Sequence, residues 1–448
     1  MREVNTIILG AGISGLSFAQ GLLKSGFKDF LILEAEQVAG GKIRTIKKDG
    51  YLLEAGPNSL MAKSDELERI LLDLDLTDQI EFPQAKERFL NRNGELYALN
   101  PKNVIKLLNK DSLSKLLSFG LLCPSIEKQN ETVADFVKRN LGSSVLDNLV
   151  QPFVSGIHAG DVDQLMIESA FPKLYKASQH SFFLPWGLYK TAKKRKNRDF
   201  KGIFTFKEGI QTLTNAIAAK IGSEKLFSAN TVLKIEYSSK SQEGILVSTK
   251  DEVFRCKKLV STIPALPLAR ILDERESSFT DLVSYLKGFH YPRVKVLHLG
   301  FDREQLPGFQ DGFGYLNLQK KRDSPVLGCL FPSSMFPNRA PNGKVLLTFF
   351  IGGSMYEQTG NFGAQECMEL ACEQLHSLMG LQGEPEMIEM QDWPGAIPQY
   401  NLHQLRFANW LPQWRKQNKN IHILGNFVNG ISVPDCVVNH LQAGQDWV

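Results

Sequence analysis

Gly10, Gly12 and Gly15 stand in the spacing Gly-x-Gly-x-x-Gly. An apolar run, Thr6 to Leu9, precedes them, and a stretch with Leu16, Ala19, Leu22 and Leu23 on one helical face follows. In that setting each glycine has a separate task. Gly10 permits a tight turn, Gly12 lets the main chain approach a pyrophosphate, and Gly15 lets a helix pack on the strand. Ile13 and Ser14 then open a helix whose free N–H groups and positive dipole end face phosphate. Glu34 comes 19 residues after Gly15 (34 − 15), at the end of a second apolar run, Phe30 to Leu33. A carboxylate there, with Ala35 beside it, is placed to hold ribose hydroxyls, and its charge argues against a 2′-phosphate.

Three further segments bear on which dinucleotide this is. Ala39-Gly40-Gly41-Lys42-Ile43-Arg44-Thr45 brings two glycines and two cations close to it. That suits the bulky FAD, whose pyrophosphate needs compensation, better than NAD. Gly56-Pro57-Asn58-Ser59, after Glu54-Ala55, reads as another close backbone approach to a flat ligand. Near the C-terminus, Ile421 to Gly425 is an apolar strand. Gly425-Asn426 and then Val433-Pro434-Asp435-Cys436 lead from it into a helix. A helix N-terminus there would stabilise the negative charge that gathers at N1–C2=O of a reduced flavin. Cys436 reads as a small helix-start residue.

The elements that must position these residues follow from the pattern of the chain. Thr6–Leu9, the helix ended by Gly26, and Phe30–Leu33 make one βαβ unit. Residues 98 to about 200 are helical in pattern, with Lys102, Lys106, Lys110 and Lys115 interleaved among apolar residues and a basic run, Lys190 to Lys201, at the end. Strands are predicted at Val232–Tyr237, Ile245–Ser248, Lys258–Ile263, Val294–Phe301, Val326–Phe331 and Val345–Ile351, and a helix at Ala364–Met379. Pro332 to Lys344, with three prolines, reads as a loop. The 448 residues imply two or three domains. A hydrophobic content of 43%, a charged content of 22% and a net charge of +4 describe an ordinary globular protein and make no case for nucleic acid. No apolar run reaches the roughly 18 residues of a spanning helix. The first strand begins almost at Met1, so a cytoplasmic location is expected. The six cysteines include no Cys-x-x-Cys pair, so reduced thiols are expected and a metal site is not.

Taken together these segments resemble the flavin monooxygenase and amine oxidase superfamily. Within it, three stretches resemble the protoporphyrinogen oxidases: Gln151-Pro152-Phe153-Val154-Ser155-Gly156-Ile157-His158-Ala159-Gly160-Asp161, continuing through Glu168-Ser169-Ala170-Phe171-Pro172; Trp393-Pro394-Gly395-Ala396-Ile397-Pro398-Gln399-Tyr400; and the C-terminal glycine and Asp-Cys stretch. The resemblance covers nearly the whole chain in the same order. It implies an α/β multi-domain protein. This would have a Rossmann-like FAD-binding domain of the glutathione-reductase/amine-oxidase type (residues 1–82, 203–275 and 395–448), a β-sheet substrate domain (83–97 and 276–394), and a helical, membrane-facing domain (98–202). The helices near 100 to 125 are read either as membrane-facing or as a helical cap with a solvated basic face. Lys190 to Lys201 is read either as a contact for anionic lipid or as a solvated loop.

The resemblance also implies functional residues. Val232 and Trp393 join the cofactor-binding set. Arg88, in Lys86-Glu87-Arg88-Phe89-Leu90, stands where the family binds a substrate propionate, and a guanidinium suits a carboxylate. Gly156 stands where a main-chain carbonyl of a glycine loop faces the substrate. His158 replaces a frequent aromatic residue and reads as a hydrogen-bonded loop histidine. The implied reaction removes a hydride from a methylene bridge of a porphyrinogen to flavin N5, with loss of a pyrrole N–H proton, and repeats to the aromatic porphyrin. Aromatisation drives it, so no strong protein base is expected. Oxygen reoxidises the flavin and yields hydrogen peroxide; a quinone is the other acceptor considered, since no second nucleotide fingerprint appears. The segment Gly395 to Tyr400 has no cysteine, so the FAD is expected to be non-covalent. Partners implied are the porphyrinogen, oxygen, a membrane surface on its cytoplasmic face, ferrochelatase and a second copy of the chain. Three other readings stay open: a coproporphyrinogen III oxidase, another flavin amine oxidase or carotenoid desaturase, and a non-enzymatic carrier of the same fold.

Overall fold

In the computed structural model, which describes residues 1–62, 64–118, 129–180, 200, 202–237, 244–318, 324–428 and 430–447, the apolar runs nearest the two ends of the chain meet in one sheet. Arg2–Leu9 pairs in parallel with Phe30–Leu33 on one side and Val253–Ser261 on the other. Phe30–Leu33 also pairs in parallel with Leu226–Phe227, and the second half of Val253–Ser261 with Ile421–Ile423. Ile245–Thr249 and Val232–Tyr237 add an antiparallel meander, giving seven strands. Parallel strands covered on both faces are apolar at every position. Phe30–Leu33 is buried at all four residues.

The first helix, Ile13–Lys24, and the last, Val433–Gln445, cross on this sheet. A Cβ on Gly21 would lie 2.2 Å from the Leu441 carbonyl oxygen, and one on Gly444 2.2 Å from that of Phe18. Two glycines therefore let the chain's ends pack backbone to backbone, and this crossing brings the C-terminal loop beside the N-terminal one. On the sheet's other core, helices Ser277–Lys287 and Leu402–Gln417 bury Phe279, Leu282, Phe407 and Trp414. The expected boundary at residue 275 is therefore too early. Ser277–Lys287 carries its apolar face into the first sheet's core, and the chain leaves that core only after Phe289.

The second sheet has seven strands in the order Met387–Trp393, Val294–Asp302, Lys344–Gly352, Val326–Leu330, Gly314–Asn317, Phe89–Arg92 and Glu95–Ala98. All neighbours are antiparallel except Gly314–Asn317 and Phe89–Arg92. Helix Ala364–Met379 covers one face with Cys367, Ala371, Leu375 and Met379. The other face meets the first sheet's loops and the helix Gln151–His158. A smaller helical core around Val133, Phe136, Val137 and Val154 holds that helix.

The predicted strands are found, with ends shifted by a few residues, and helix Ala364–Met379 is found with the bounds read from the sequence. Pro332 to Lys344 is not wholly irregular. Pro332–Met335 forms a helical turn and Lys344 already belongs to a strand. Most of the basic run Lys190 to Lys201 lies outside the described residues, as do Cys123 and Asn429. Among the described residues no helix is long and apolar enough to cross a membrane.

Candidate functional site

The glycine turn does what its spacing requires. Gly10 has φ +91° and its N–H donates to the Leu33 carbonyl at 2.8 Å, which locks the turn onto the second strand. A Cβ on Gly15 would lie 2.0 Å from the Gly10 oxygen, so only glycine fits. Gly12 is the N-cap of the first helix, with Ile13 and the buried Ser14 in its opening turn. Gly40 bridges Gly12, and Gly41 (φ +61°) faces it so closely that a Cβ would be 3.2 Å from the Gly12 Cα. Two backbones thus flank the helix N-terminus with no side chain between them, a cradle suited to a pyrophosphate.

Glu34 is 7% exposed. Its carboxylate accepts from the Ala11 N–H at 2.6 Å and the Glu36 N–H at 2.9 Å. A carboxylate has about four acceptor positions, so room is left for ribose hydroxyls. Ala35 is exposed beside it. The Asn230 N–H donates to the Glu34 carbonyl at 2.8 Å, which brings Val232, two residues on and half-buried, to the same strand end.

A second junction lies further along. Glu54 is followed by the half-buried turn Gly56-Pro57-Asn58-Ser59, closed by Asn58 Nδ2 donating to the Gly56 carbonyl at 3.1 Å. A Cβ on Gly56 would lie 2.0 Å from the Lys42 carbonyl oxygen. The Trp393 indole N–H donates to the Ala55 carbonyl at 2.7 Å. The Lys42 ammonium donates to the carbonyls of Gly395 and Ala396 and lies 5.7 Å from the Tyr291 ring centroid. Segments 41–42, 55–58 and 393–396 therefore converge. Burial pushes the Lys42 pKa down to about 8. The cation was legible in the sequence; its partners, some 350 residues away, and Tyr291 were not.

The C-terminal loop is fixed by groups that sequence reading passed over. Gly425 (φ +114°) donates its N–H to Nε2 of the buried His440 at 3.1 Å, and His440 Nδ1 donates to the Cys436 carbonyl at 2.6 Å. Burial lowers the His440 pKa to about 4. The neutral ring is thus held in one tautomer by two backbone groups. The Tyr400 hydroxyl donates to the Asn426 carbonyl at 2.7 Å. Ser432 caps the last helix, accepting from the Asp435 N–H, with Val433 and Pro434 in its first turn. In chain order that helix N-terminus is the fourth of these segments.

The two expected substrate residues both lie against the second sheet. Arg88 is exposed just before strand Phe89–Arg92, with its guanidinium 4.4 Å from the Phe313 ring centroid. It pairs with no carboxylate among the described residues. Gly156 is not in a loop, as expected, but in helix Gln151–His158. Pro152 lies just after a π-helical stretch, Leu146–Val150, that runs directly into this helix. A Cβ on Gly156 would lie 2.4 Å from Leu316 Cδ2, so the glycine lets the helix rest on the sheet. Its carbonyl falls in the last turn, where helical carbonyls lack a helical partner. Leu316 is paired in register with Leu90, two residues from Arg88. His158 ends the same helix and packs edge-on against Phe171, centroids 5.6 Å apart.

The family described as flavin containing amine oxidoreductase matches residues 13–439. The chain is 31% identical to a chloroplastic protoporphyrinogen oxidase of Nicotiana tabacum, over 97% of this chain and 84% of that one. It is 26% identical to a coproporphyrinogen III oxidase of Bacillus subtilis (strain 168), over 97% and 95%. In fold it is similar to a crystal structure from Exiguobacterium sp. 255-15, with a TM-score of 0.82 at 18% identity, covering 100% of this chain and 98% of that one.

Proposed function

The chain belongs to the flavin containing amine oxidoreductase family, and from that premise we propose that it oxidises protoporphyrinogen IX to protoporphyrin IX with a non-covalent FAD, oxygen as acceptor and hydrogen peroxide as by-product. Its similarity to a protoporphyrinogen oxidase along almost its whole length supports the substrate. The observation that carries the reading is that Gly156 rests on Leu316, whose strand partner Leu90 lies two residues from Arg88. Arg88 and Gly156 are far apart in sequence. Together they offer an unpaired guanidinium for an acidic arm and a close-approach backbone for a flat macrocycle.

The residues fit FAD. Gly12 and Gly41 face each other across space that a Cβ would narrow, while Gly10 and Gly15 hold the turn and the helix packing that shape it. Glu34 keeps free acceptor positions for the ribose, next to Ala35 and Val232. Gly56, Pro57, Asn58, Ser59, Lys42 and Trp393, with Gly425, Asn426, Val433 and Pro434, would hold the ring system. Bound flavin supplies the hydride acceptor and the reaction with oxygen. The chain binds and orients the macrocycle, keeps water from the bridge carbon, and directs a helix N-terminus and Lys42 towards negative charge. Aromatisation supplies the driving force, and the pyrrole N–H proton is released without a dedicated base.

Porphyrin fluorescence after mixing FAD-loaded protein with protoporphyrinogen or coproporphyrinogen in air, with peroxide followed in parallel, tests this. Growth well above the spontaneous rate with protoporphyrinogen, accompanied by peroxide, is the expected result. Faster growth with coproporphyrinogen would move the assignment to the other similar enzyme. No growth with either would sink the porphyrinogen reading. We also propose that helices Pro101–Leu107 and Lys110–Ser118 rest on a membrane surface. Leu99, Ile105 and Leu116 are exposed there among Lys102, Lys106 and Lys110. Co-sedimentation with anionic vesicles that vanishes at high salt is expected.

A further inference from the structure

Glu54 and Arg339 are 285 residues apart in sequence, yet their side chains are 5% and 2% exposed and their charged atoms lie 3.5 Å apart. The Glu54 carboxylate also accepts from the Ile210 N–H at 2.8 Å and the Thr45 hydroxyl at 2.9 Å. Arg339 Nη2 donates to the Thr205 hydroxyl at 2.9 Å and the Phe206 carbonyl at 3.0 Å, with Phe336 under the guanidinium, 5.6 Å away. The Arg339 carbonyl accepts from the Leu52 N–H at 3.2 Å. Glu81 and Glu208 also act on this guanidinium, but Glu54 is the carboxylate in contact with it.

Arg339 comes from the connection between two strands of the second sheet, Val326–Leu330 and Lys344–Gly352. Its ionic and hydrogen-bonding side-chain partners come from elsewhere: Glu54 from strand Tyr51–Glu54, and Thr205 and Phe206 from strand Gly202–Phe206. A buried ion pair recovers little net stability, because desolvation offsets its attraction, whereas it fixes geometry tightly. Glu54 directly precedes the turn that faces the ring end of the cradle. The Ala55 N–H donates to the Arg44 carbonyl at 2.9 Å, the Ala55 carbonyl accepts from Trp393, and Gly56 lies against Lys42. Each segment of that junction is one or two bonds from Glu54.

We propose that Arg339 and Glu54 form a positioning clamp, which fixes the turn Ala55–Asn58 and Lys42 against the substrate sheet and so sets the distance between bound cofactor and bound substrate without touching either. The proposal rests on the flavin and porphyrinogen reading above. Its test uses FAD-loaded protein carrying Arg339→Met, Arg339→Lys or Thr205→Val. The readings are the visible band of the bound flavin, the Kd for FAD, the melting temperature, and kcat and KM for protoporphyrinogen. Arg339→Met is expected to shift the flavin band and to lower kcat by about tenfold or more, since small misplacements cost that much. KM should stay within about threefold, because the substrate's own contacts remain. Arg339→Lys should recover part of both losses. Thr205→Val removes one acceptor of Nη2 and should give the same changes on a smaller scale; it decides the matter if Arg339→Met does not fold. A lower melting temperature with the flavin band, Kd and kcat all unchanged would overturn the clamp and leave an ordinary structural pair. The band and Kd are read without substrate. Wild-type protein inert towards porphyrinogens would therefore defeat the substrate reading while the clamp is still decided.

Discussion

Arg88 carries the sharpest expectation at the scale of single residues. A charge-assisted guanidinium–carboxylate contact is worth about 1.5–3 kcal/mol. Arg88→Ala should accordingly raise KM by about 10- to 100-fold and change kcat much less, because the lost contact serves ground and transition states alike. Steady-state kinetics with protoporphyrinogen check it; a loss confined to kcat would place Arg88 elsewhere in the reaction. Lys42 predicts a pH effect on the cofactor. Burial holds its pKa at about 8, and a bound anion must raise it by favouring the charged form. A group whose pKa rises on binding strengthens affinity below its free value and ceases to do so as pH climbs. FAD affinity should thus be constant at about pH 6.5, fall above about pH 8, and become weaker and nearly pH-independent in Lys42→Met. Glu34, Gly10 and Gly15 were readable because their roles depend on near neighbours. Tyr291 and Arg339 were not, because each acts on a segment far away in sequence.

Packing decided what local preference left open at the scale of elements. A glycine inside a helix costs about 1 kcal/mol against alanine, yet the Ser155-Gly156 stretch, a loop by the family resemblance, is helical. There Gly156 gives the space that Leu316 Cδ2 occupies against the helix. The crossing of the first and last helices obeys the same logic. Gly444→Ala would push a methyl to 2.2 Å from the Phe18 oxygen, and overpacking of this kind costs typically about 1–3 kcal/mol. Thermal unfolding should show a lower melting temperature. FAD should be held less tightly as well, since the helix that would move also carries Val433 and Pro434. An unchanged Kd for FAD in Gly444→Ala would show that the crossing does not transmit to the site.

Acid should destabilise the whole molecule through two buried histidines. Burial lowers the pKa of His298 to about 3 and that of His440 to about 4. Both folded values lie below the ordinary 6.5, so their neutral forms are favoured by folding. Their contribution is complete above about pH 6.5 and is lost as pH falls through that value towards 4 and 3, at roughly 1.4 kcal/mol per unit for each group. Melting temperature followed from about pH 7 to about pH 4 should drop steeply, and less so in His298→Leu. Acid precipitation should then leave FAD in the supernatant; flavin retained in the pellet would contradict the non-covalent reading. The sequence by itself determined the βαβ unit, the four cradle segments, most strand positions and the family resemblance. Those depend on periodicity, glycine sterics and charge over short spans, which the linear order preserves. Only the tertiary structure decided that Lys42 meets Gly395 and Ala396, that Gly156 rests on Leu316, that Ser277–Lys287 belongs to the first core, and that Arg339 reaches Glu54. These are contacts between segments brought together by sheet register and helix crossing, and no local pattern in the chain encodes which distant partner a buried side chain will find.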